Sequence, residues 1–313
     1  MPSDTQTIKS LLEGTLFASN DILEVVIPET EEKALFLELN LENDWEAWKF
    51  FRNLLAKTNH WPLIITDWSS QWQDPSEIFS RFEYQQEINS STGPRVSPKD
   101  ITNQSQNVTL ETILSTHLAN FIENSDPLED SLTLALDELR NSFGKSPSLI
   151  EIQGHITSGS ITNLFDLNRW LFFWQLEKYE DHTRQQAPDT SYLEWFQPRQ
   201  FQQPLGLVLL PTRHSWESLA YIHWFGSSSV GSHVAIAFLR HWYDQYGAEL
   251  VCHYGTMLHL VVHQKPITAA DAFQLAWEQE ALAPCTTLLP GVSLREHAWA
   301  LLHADRWFLH ERP

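Results

Sequence analysis

The chain reads LVLLPTRHSWESLAYIHW over residues 207–224, FGSSSVG over 225–231 and SHVAIAFLRHWYDQYGAELVCHY over 232–254. An apolar run stops at Pro211, where the backbone loses a donor, and a Thr-Arg-His-Ser-Trp-Glu cluster follows at once. Leu205–Leu210 (LGLVLL) is a short apolar run between two prolines, the pattern of a strand buried on both faces. Ser232–Tyr246 predicts a helix, with Ser232 as its cap, Gly247 as its stop, and Val234, Phe238, Leu239, Trp242 and Tyr246 on the buried stripe. Glu249–His253 and Met257–Val262 predict two strands around Tyr254-Gly255-Thr256, and Ser218–Trp224 a further short one. Buried strands alternating with capped helices imply an α/β (α+β) fold, a mixed sheet with helices packed on it.

The same reasoning extends outward. Ile22–Ile27 and Ala34–Leu41 predict strands on either side of a Pro-Glu-Thr-Glu-Glu turn. Asn43-Asp-Trp-Glu46 resembles a capped helix start, and the helix would run to about Lys57 and bury Trp45, Trp48, Phe51, Leu54 and Leu55. Trp61–Thr66 (WPLIIT) completes a β-β-α-β layer within residues 1–88, which also holds a short helix at Ser76–Gln86. The polar stretch Asn89–Gln106 reads as a flexible linker. Residues 107–203 form a mainly helical middle region, with helices at Leu110–Glu123, Asp130–Phe143 and Ile161–Tyr179 and a short strand at Leu149–Ile152. Residues 204–313 form a C-terminal α/β domain. In it, Thr268 caps a helix to Ala281, Ser293-Leu-Arg-Glu296 forms a capping box, and Arg306–Leu309 is a last strand.

Composition narrows the function. The chain has 313 residues, enough for a sizeable core, and a net charge of −20. Residues 1–150 hold 24 acidic and 10 basic side chains, and residues 151–313 hold 16 and 10. Such acidity repels phosphate backbones and argues against nucleic-acid binding. It suits solubility or a basic partner. Two cysteines without metal-ligand spacing point to a reducing compartment. The opening MPSDTQTIKSLLEG lacks a signal-peptide pattern, and Trp170–Leu176 is too short to span a bilayer. A cytoplasmic location off the membrane is expected. Fourteen tryptophans, from Trp45 to Trp307, are expected to fill core and groove positions.

LGLVLLPTRHSWESLAYIHW (205–224), HVAIAFLRHWYDQYGAELV (233–251) and RWFLHE (306–311) resemble the bacterial domain-of-unknown-function 4253 family. The resemblance covers about Leu205–Leu309, with a weaker echo at His60-Trp61-Pro62-Leu63-Ile64. It implies an α/β fold in a bacterial, cytoplasmic setting and names no reaction. The chain departs from the family's pattern at Ala283-Pro284-Cys285, where members often carry Cys-Pro-Asp. It departs again at Trp307–Glu311, where members often end in aromatics and an acid.

Ten of the fourteen histidines follow residue 200. A zinc pair on a helix needs a four-residue spacing, but His233 and His241 stand eight apart. His259 and His263 are four apart, in or just after a predicted strand, which would put them about 13 Å from each other. No metal or cofactor is expected. His214 and Ser215 are sequence neighbours that an extended chain points to opposite faces, and no Gly-x-Ser-x-Gly elbow is present, so no catalytic residue is assigned. Gly226–Ser232 and Gly154–Ser160 have the glycine spacing of a phosphate loop but carry His233 and Ile161 where the lysine would stand. Each is expected to be a plain loop before a helix. Thr212, Arg213, His214, Trp216, Glu217 and Trp224 are expected to line a recognition surface for a protein partner of basic character, as an immunity protein meets its toxin. A hydrolase or a small-ligand sensor using the same cleft is the alternative.

The expectation of no nucleic-acid binding follows most directly from the charge. In fluorescence anisotropy at physiological salt, the chain is expected to show no micromolar binding to duplex or single-stranded DNA. Micromolar binding that weakens steeply with added salt would contradict this.

Overall fold

The structure, a computed structural model, describes residues 4–28, 30–39, 44–66, 74–76, 78–79, 97–180, 189–193, 203–227 and 230–312. Its elements begin with α1 (Asp4–Leu12), β1 (Leu23–Val26), β2 (Lys33–Leu39), α2 (Asp44–Asn53), α3 (Leu55–Thr58), β3 (Trp61–Thr66) and α4 (Pro98–Ser105). Four helices follow: α5 (Leu110–Asn124), α6 (Leu128–Phe143), α7 (Leu149–Thr157) and α8 (Leu164–Glu180). Then come β4 (Leu205–Leu210), α9 (Ser218–Tyr221), α10 (Ser232–Tyr246), β5 (Glu249–His253) and β6 (Met257–Val261). The chain closes with α11 (Ala269–Leu282), α12 (Cys285–Leu288), α13 (Leu294–Leu301) and β7 (Arg306–His310).

These elements form two compact units. Met1–Val108, Glu194–Gln264 and Arg306–Pro313 make a sheet unit, and Thr109–Leu193 with Lys265–Asp305 make a helical unit. The sheet is mixed and seven-stranded, in the order β1-β2-β4-β3-β5-β6-β7, which makes the fold α+β as expected. β4 lies between β2 and β3 and pairs antiparallel with both, so that Leu207 faces Leu37 on one side and Ile64 on the other. β3 and β5 pair in parallel through Ile64 and Cys252, and a register shift between Leu250 and Cys252 bends β5 against β6. The strands expected in residues 1–88 and in 204–313 thus interleave in one sheet, and α11–α13 group with α5–α8. The four expected segments therefore differ from the units. Periodicity reports what a segment becomes but not which distant segment it pairs with.

In the sheet unit, α2 lays Trp48 and Phe51 on a layer that includes Trp61, Ile64, Leu205, Leu207 and Val251. Two buried indoles are anchored through their N–H groups, Trp48 to the Pro62 carbonyl at 3.0 Å and Trp61 to the Leu250 carbonyl at 3.0 Å. The helical unit packs Leu132, Leu136 and Leu139 of α6 against Ile152, Leu167 and Leu171. Its helices α11 and α13 start with complete capping boxes, Thr268 with Asp271 and Ser293 with Glu296.

Several local expectations are corrected. Leu149–Ile152 is the first turn of α7, because Ser148 caps it by accepting from the Glu151 amide at 3.2 Å. Gly154 lies inside α7, so residues 154–160 end one helix rather than open the next, which starts at Leu164. Ser218–Trp224 is the one-turn helix α9 and a loop, since a short 3-10 turn at Ser215–Glu217 feeds straight into it. Gly231, at φ 88°, takes the cap position of α10 in place of Ser232, which becomes the first helical residue. Within the expected linker, Ser97 caps α4 by accepting from the Asp100 amide at 3.3 Å, and Arg240 donates to the Ser105 carbonyl at 3.2 Å. Residues 89–96, Asn43 and most of Ser76–Gln86 lie outside the described residues.

Burial also fixes how the sheet unit responds to acid. Desolvation lowers the pKa of His253 and His259 from 6.5 to about 3 and that of His223 to about 4. The unfolded chain therefore binds protons that the folded unit refuses. Stability is fully present above pH 6.5 and is lost as the pH falls toward the folded values. In the helical unit Glu280, raised by burial to about 7, runs the opposite way. Urea unfolding read through exchange protection of the β4 and β5 amides, corrected for intrinsic rates, should show a constant midpoint above pH 7. The midpoint should fall from pH 6.5 to 4.5, and a rise across that window would contradict the assignment.

Candidate functional site

The chain leaves β4 at Leu210 and folds back on itself, with the Thr212 amide donating to the Leu210 carbonyl at 2.7 Å. Thr212 is buried. Its hydroxyl donates to the Glu217 carboxylate and accepts from the His214 amide at 3.1 Å. Thr212 and Glu217 therefore fasten the turn from inside, a side-chain substitute for a backbone turn bond. Arg213 and His214 are exposed, and Arg213 makes no ion pair with any described residue. The His214 ring stacks on Trp216 at a centroid distance of 4.5 Å and 21°. Trp216 in turn meets Tyr243 of α10 at 4.5 Å. The result is a three-ring ledge, with the exposed Arg213 next to His214 in the chain.

Trp224 does not belong to this surface. It is completely buried, and a Cβ at Gly226 would come within 2.4 Å of its ring. The sequence places it at the mouth of a loop, but an indole there gains more from the core than from water. The other five expected residues stay within one turn, two as internal fasteners and three facing outward.

The ledge rests on groups that local sequence patterns do not reveal. The Arg52 Nε of α2 lies 3.1 and 3.0 Å from the two oxygens of Glu249, the first residue of β5, and Nη2 adds a further bond. Glu249 is only 2% exposed. The bond to Glu249 is the main reason the Arg52 pKa is raised, and the nearby Tyr243 adds a smaller electrostatic contribution. The Arg52 guanidinium also lies 5.0 Å over the Trp61 ring, and His263 Nε2 stands 3.5 Å from Glu249. Arg52 and Glu249 are 197 residues apart, so only the parallel alignment of β3 with β5 brings them together.

Because β4 runs antiparallel to β3 and β5, the turn emerges at the ends where those two strands begin, beside Trp61 and Glu249. Clefts of open α/β sheets sit at the opposite edge, where parallel strands finish. There the structure gathers a second polar group. His223 Nδ1 lies 2.8 Å from Ser232 Oγ, Ser232 Oγ lies 3.3 Å from Ser227 Oγ, and the Gly255 amide donates to His253 Nδ1 at 3.3 Å. Sequence reasoning placed His223 in a short strand and Ser232 at a helix cap with a plain loop between them, because the turns that bring the two together are not resolved by periodicity.

The helical unit has a cavity of about 610 Å³ lined by residues that include Arg140, Lys145, Trp174 and Lys178. Its charges are largely matched, Arg140 by Asp137 at 2.9 Å and Lys178 by Glu177 at 2.9 Å. Among the described residues, no group of three or more His, Cys, Asp or Glu side chains could hold a metal ion, and no helix is long and apolar enough to cross a membrane.

Residues 206–310 match the family model described as a domain of unknown function (DUF4253), the family that the 205–309 stretch resembles. The match runs from β4 to β7 and includes the turn, the ledge and the His223–Ser232 pair. No curated protein and no solved structure matches the chain.

Proposed function

We propose that the protein is a cytoplasmic binding protein, non-enzymatic at the turn after β4, where it recognises a basic macromolecular partner in an immunity-like role. The observation that carries this reading is the ledge itself: His214 on Trp216 on Tyr243, with the exposed Arg213 next to His214 in the chain. Stacked aromatics present large area at little entropic cost, and an arginine fork offers five donors, the combination that dominates binding hot spots. A net charge of −20 favours encounter with a basic partner and sets its rate more than its affinity. Arg213 would then meet an acidic group or a backbone carbonyl within that partner. A hydrolase acting through this turn would need Glu217 and His214 aimed at one point. Instead Glu217 is held by Thr212 and His214 lies flat on Trp216.

The test is the pair of changes Arg213→Ala and Trp216→Ala, made together in the full chain. Immobilised wild-type and variant protein would be exposed to extract of the native organism, and captured proteins would be identified and then titrated as purified partners. The variant should melt within a few degrees of wild type and bind the partner at least ~100-fold more weakly, about 3 kcal/mol. A variant that binds unchanged, or that has lost its fold, would return the turn to a purely structural role.

A further inference from the structure

The His223–Ser232 pair sits where β3 and β5 finish, at the opposite end of β5 from the ledge. Ser232 is the first residue of α10, a 15-residue helix, and is partly exposed. Gly231 before it has a φ of 88°, a conformation that favours glycine, and a Cβ there would also lie 2.6 Å from the folded-back His233 ring. The backbone therefore turns sharply just before the serine. Among the described residues, nothing accepts a hydrogen bond from the backbone N–H of Ser232 or of His233. Two free amides at a helix start lie beside a serine hydroxyl that is hydrogen-bonded to an imidazole.

We propose that Ser232 and His223 form a nucleophile–base pair that cleaves small carboxylic esters, with the Ser232 and His233 amides holding the developing oxyanion. This site is independent of the partner-binding reading and shares no residue with it. The reaction takes Nδ1 as the acceptor and Nε2 as the carrier of the ring proton, a tautomer that the 2.8 Å contact permits. Burial keeps the ring neutral at pH 7, the form able to accept a proton, since its pKa is lowered to about 4. Ser232 Oγ attacks the acyl carbon as its proton passes to His223 Nδ1, and the carbonyl oxygen takes the electron pair. The carbon–oxygen bond to the leaving alcohol then breaks, and His223 returns the proton to that alcohol. Water repeats the sequence on the acyl-serine, releasing the carboxylic acid and restoring the serine hydroxyl. Ser227, 3.3 Å from Ser232 Oγ, donates to the Trp224 carbonyl at 2.7 Å and so fixes the loop edge of the site.

The experiment treats the full chain with a fluorophosphonate, a reagent that phosphonylates activated serines, and maps the adduct by peptide mass spectrometry. The expected result is a single adduct on Ser232. It should be absent in Ser232→Ala and form at least ~10-fold more slowly in His223→Gln, with p-nitrophenyl acetate hydrolysis falling in parallel. Mapping on the wild-type chain decides the matter even where a variant fails to fold. No adduct on wild-type Ser232, or an unchanged labelling rate in a folded His223→Gln variant, overturns the proposal. Partner capture by the Ser232→Ala variant is expected to be unaffected, so that failure here and failure of the ledge are told apart.

Discussion

The Arg52–Glu249 ion pair is the constraint on which the sheet unit's geometry turns. Glu249 is a carboxylate with almost no contact with water, a placement that is costly unless a fixed cation satisfies it. Arg52 supplies that cation from α2 and at the same time covers the Trp61 ring at the start of β3. One guanidinium thus locks the helix of the N-terminal layer to the first residues of both parallel strands. The turn out of α10 is fixed by the same cluster. Gly247 adopts φ 60° to end the helix; a Cβ there would lie 3.1 Å from the His263 side chain, which faces Glu249. Tyr243, one turn earlier, carries the aromatic ledge.

β5 therefore has two chemically different ends. Its start anchors the ion pair and, through Tyr243, the ring stack of Trp216 and His214. Its finish brings His253 beside the loop that carries His223 and Ser232. Between them the strand is wholly buried, as are β3 and β4 beside it. A central trio of this kind transmits no motion cheaply, because close-packed interiors resist small deformations. The two ends can thus differ in chemistry while sharing a rigid support.

Much of the fold was legible from residues alone where a local signal was complete. Leu205–Leu210, Trp61–Thr66 and Glu249–His253 form strands over the expected spans, since each is a short apolar run closed by proline, glycine or a polar break. The Thr268 cap, the Ser293–Glu296 capping box and the Gly247 stop were readable because one or two side chains or one backbone angle decide each. Errors arose where a tertiary or capping choice overrides a weak pattern. Leu149–Ile152 has strand-like apolar content, but Ser148 caps it into a helix. The polar 97–106 stretch looks like a linker, but Ser97 and Pro98 start a helix there. Of the site, the turn could be read from Pro211 and the polar cluster after it, whereas Trp224 was misplaced because loop position does not report depth. The Arg52–Glu249 pair depends on a pairing across the sheet that no window of sequence contains, and the Trp216–Tyr243 and His223–Ser232 contacts depend on turns that periodicity does not resolve.

A double-mutant cycle on Arg52 and Glu249 measures this central constraint most directly. Arg52→Met, Glu249→Leu and the combined change would be compared in urea unfolding, read from the sheet unit's β4 and β5 amides. Removing Arg52 alone should cost about 3 kcal/mol or more, because it strands a buried carboxylate. The combined variant should be at least about 2 kcal/mol more stable than the sum of the single losses predicts. Losses that simply add, or an Arg52→Met variant as stable as wild type, would show that the sheet unit stands without the pair.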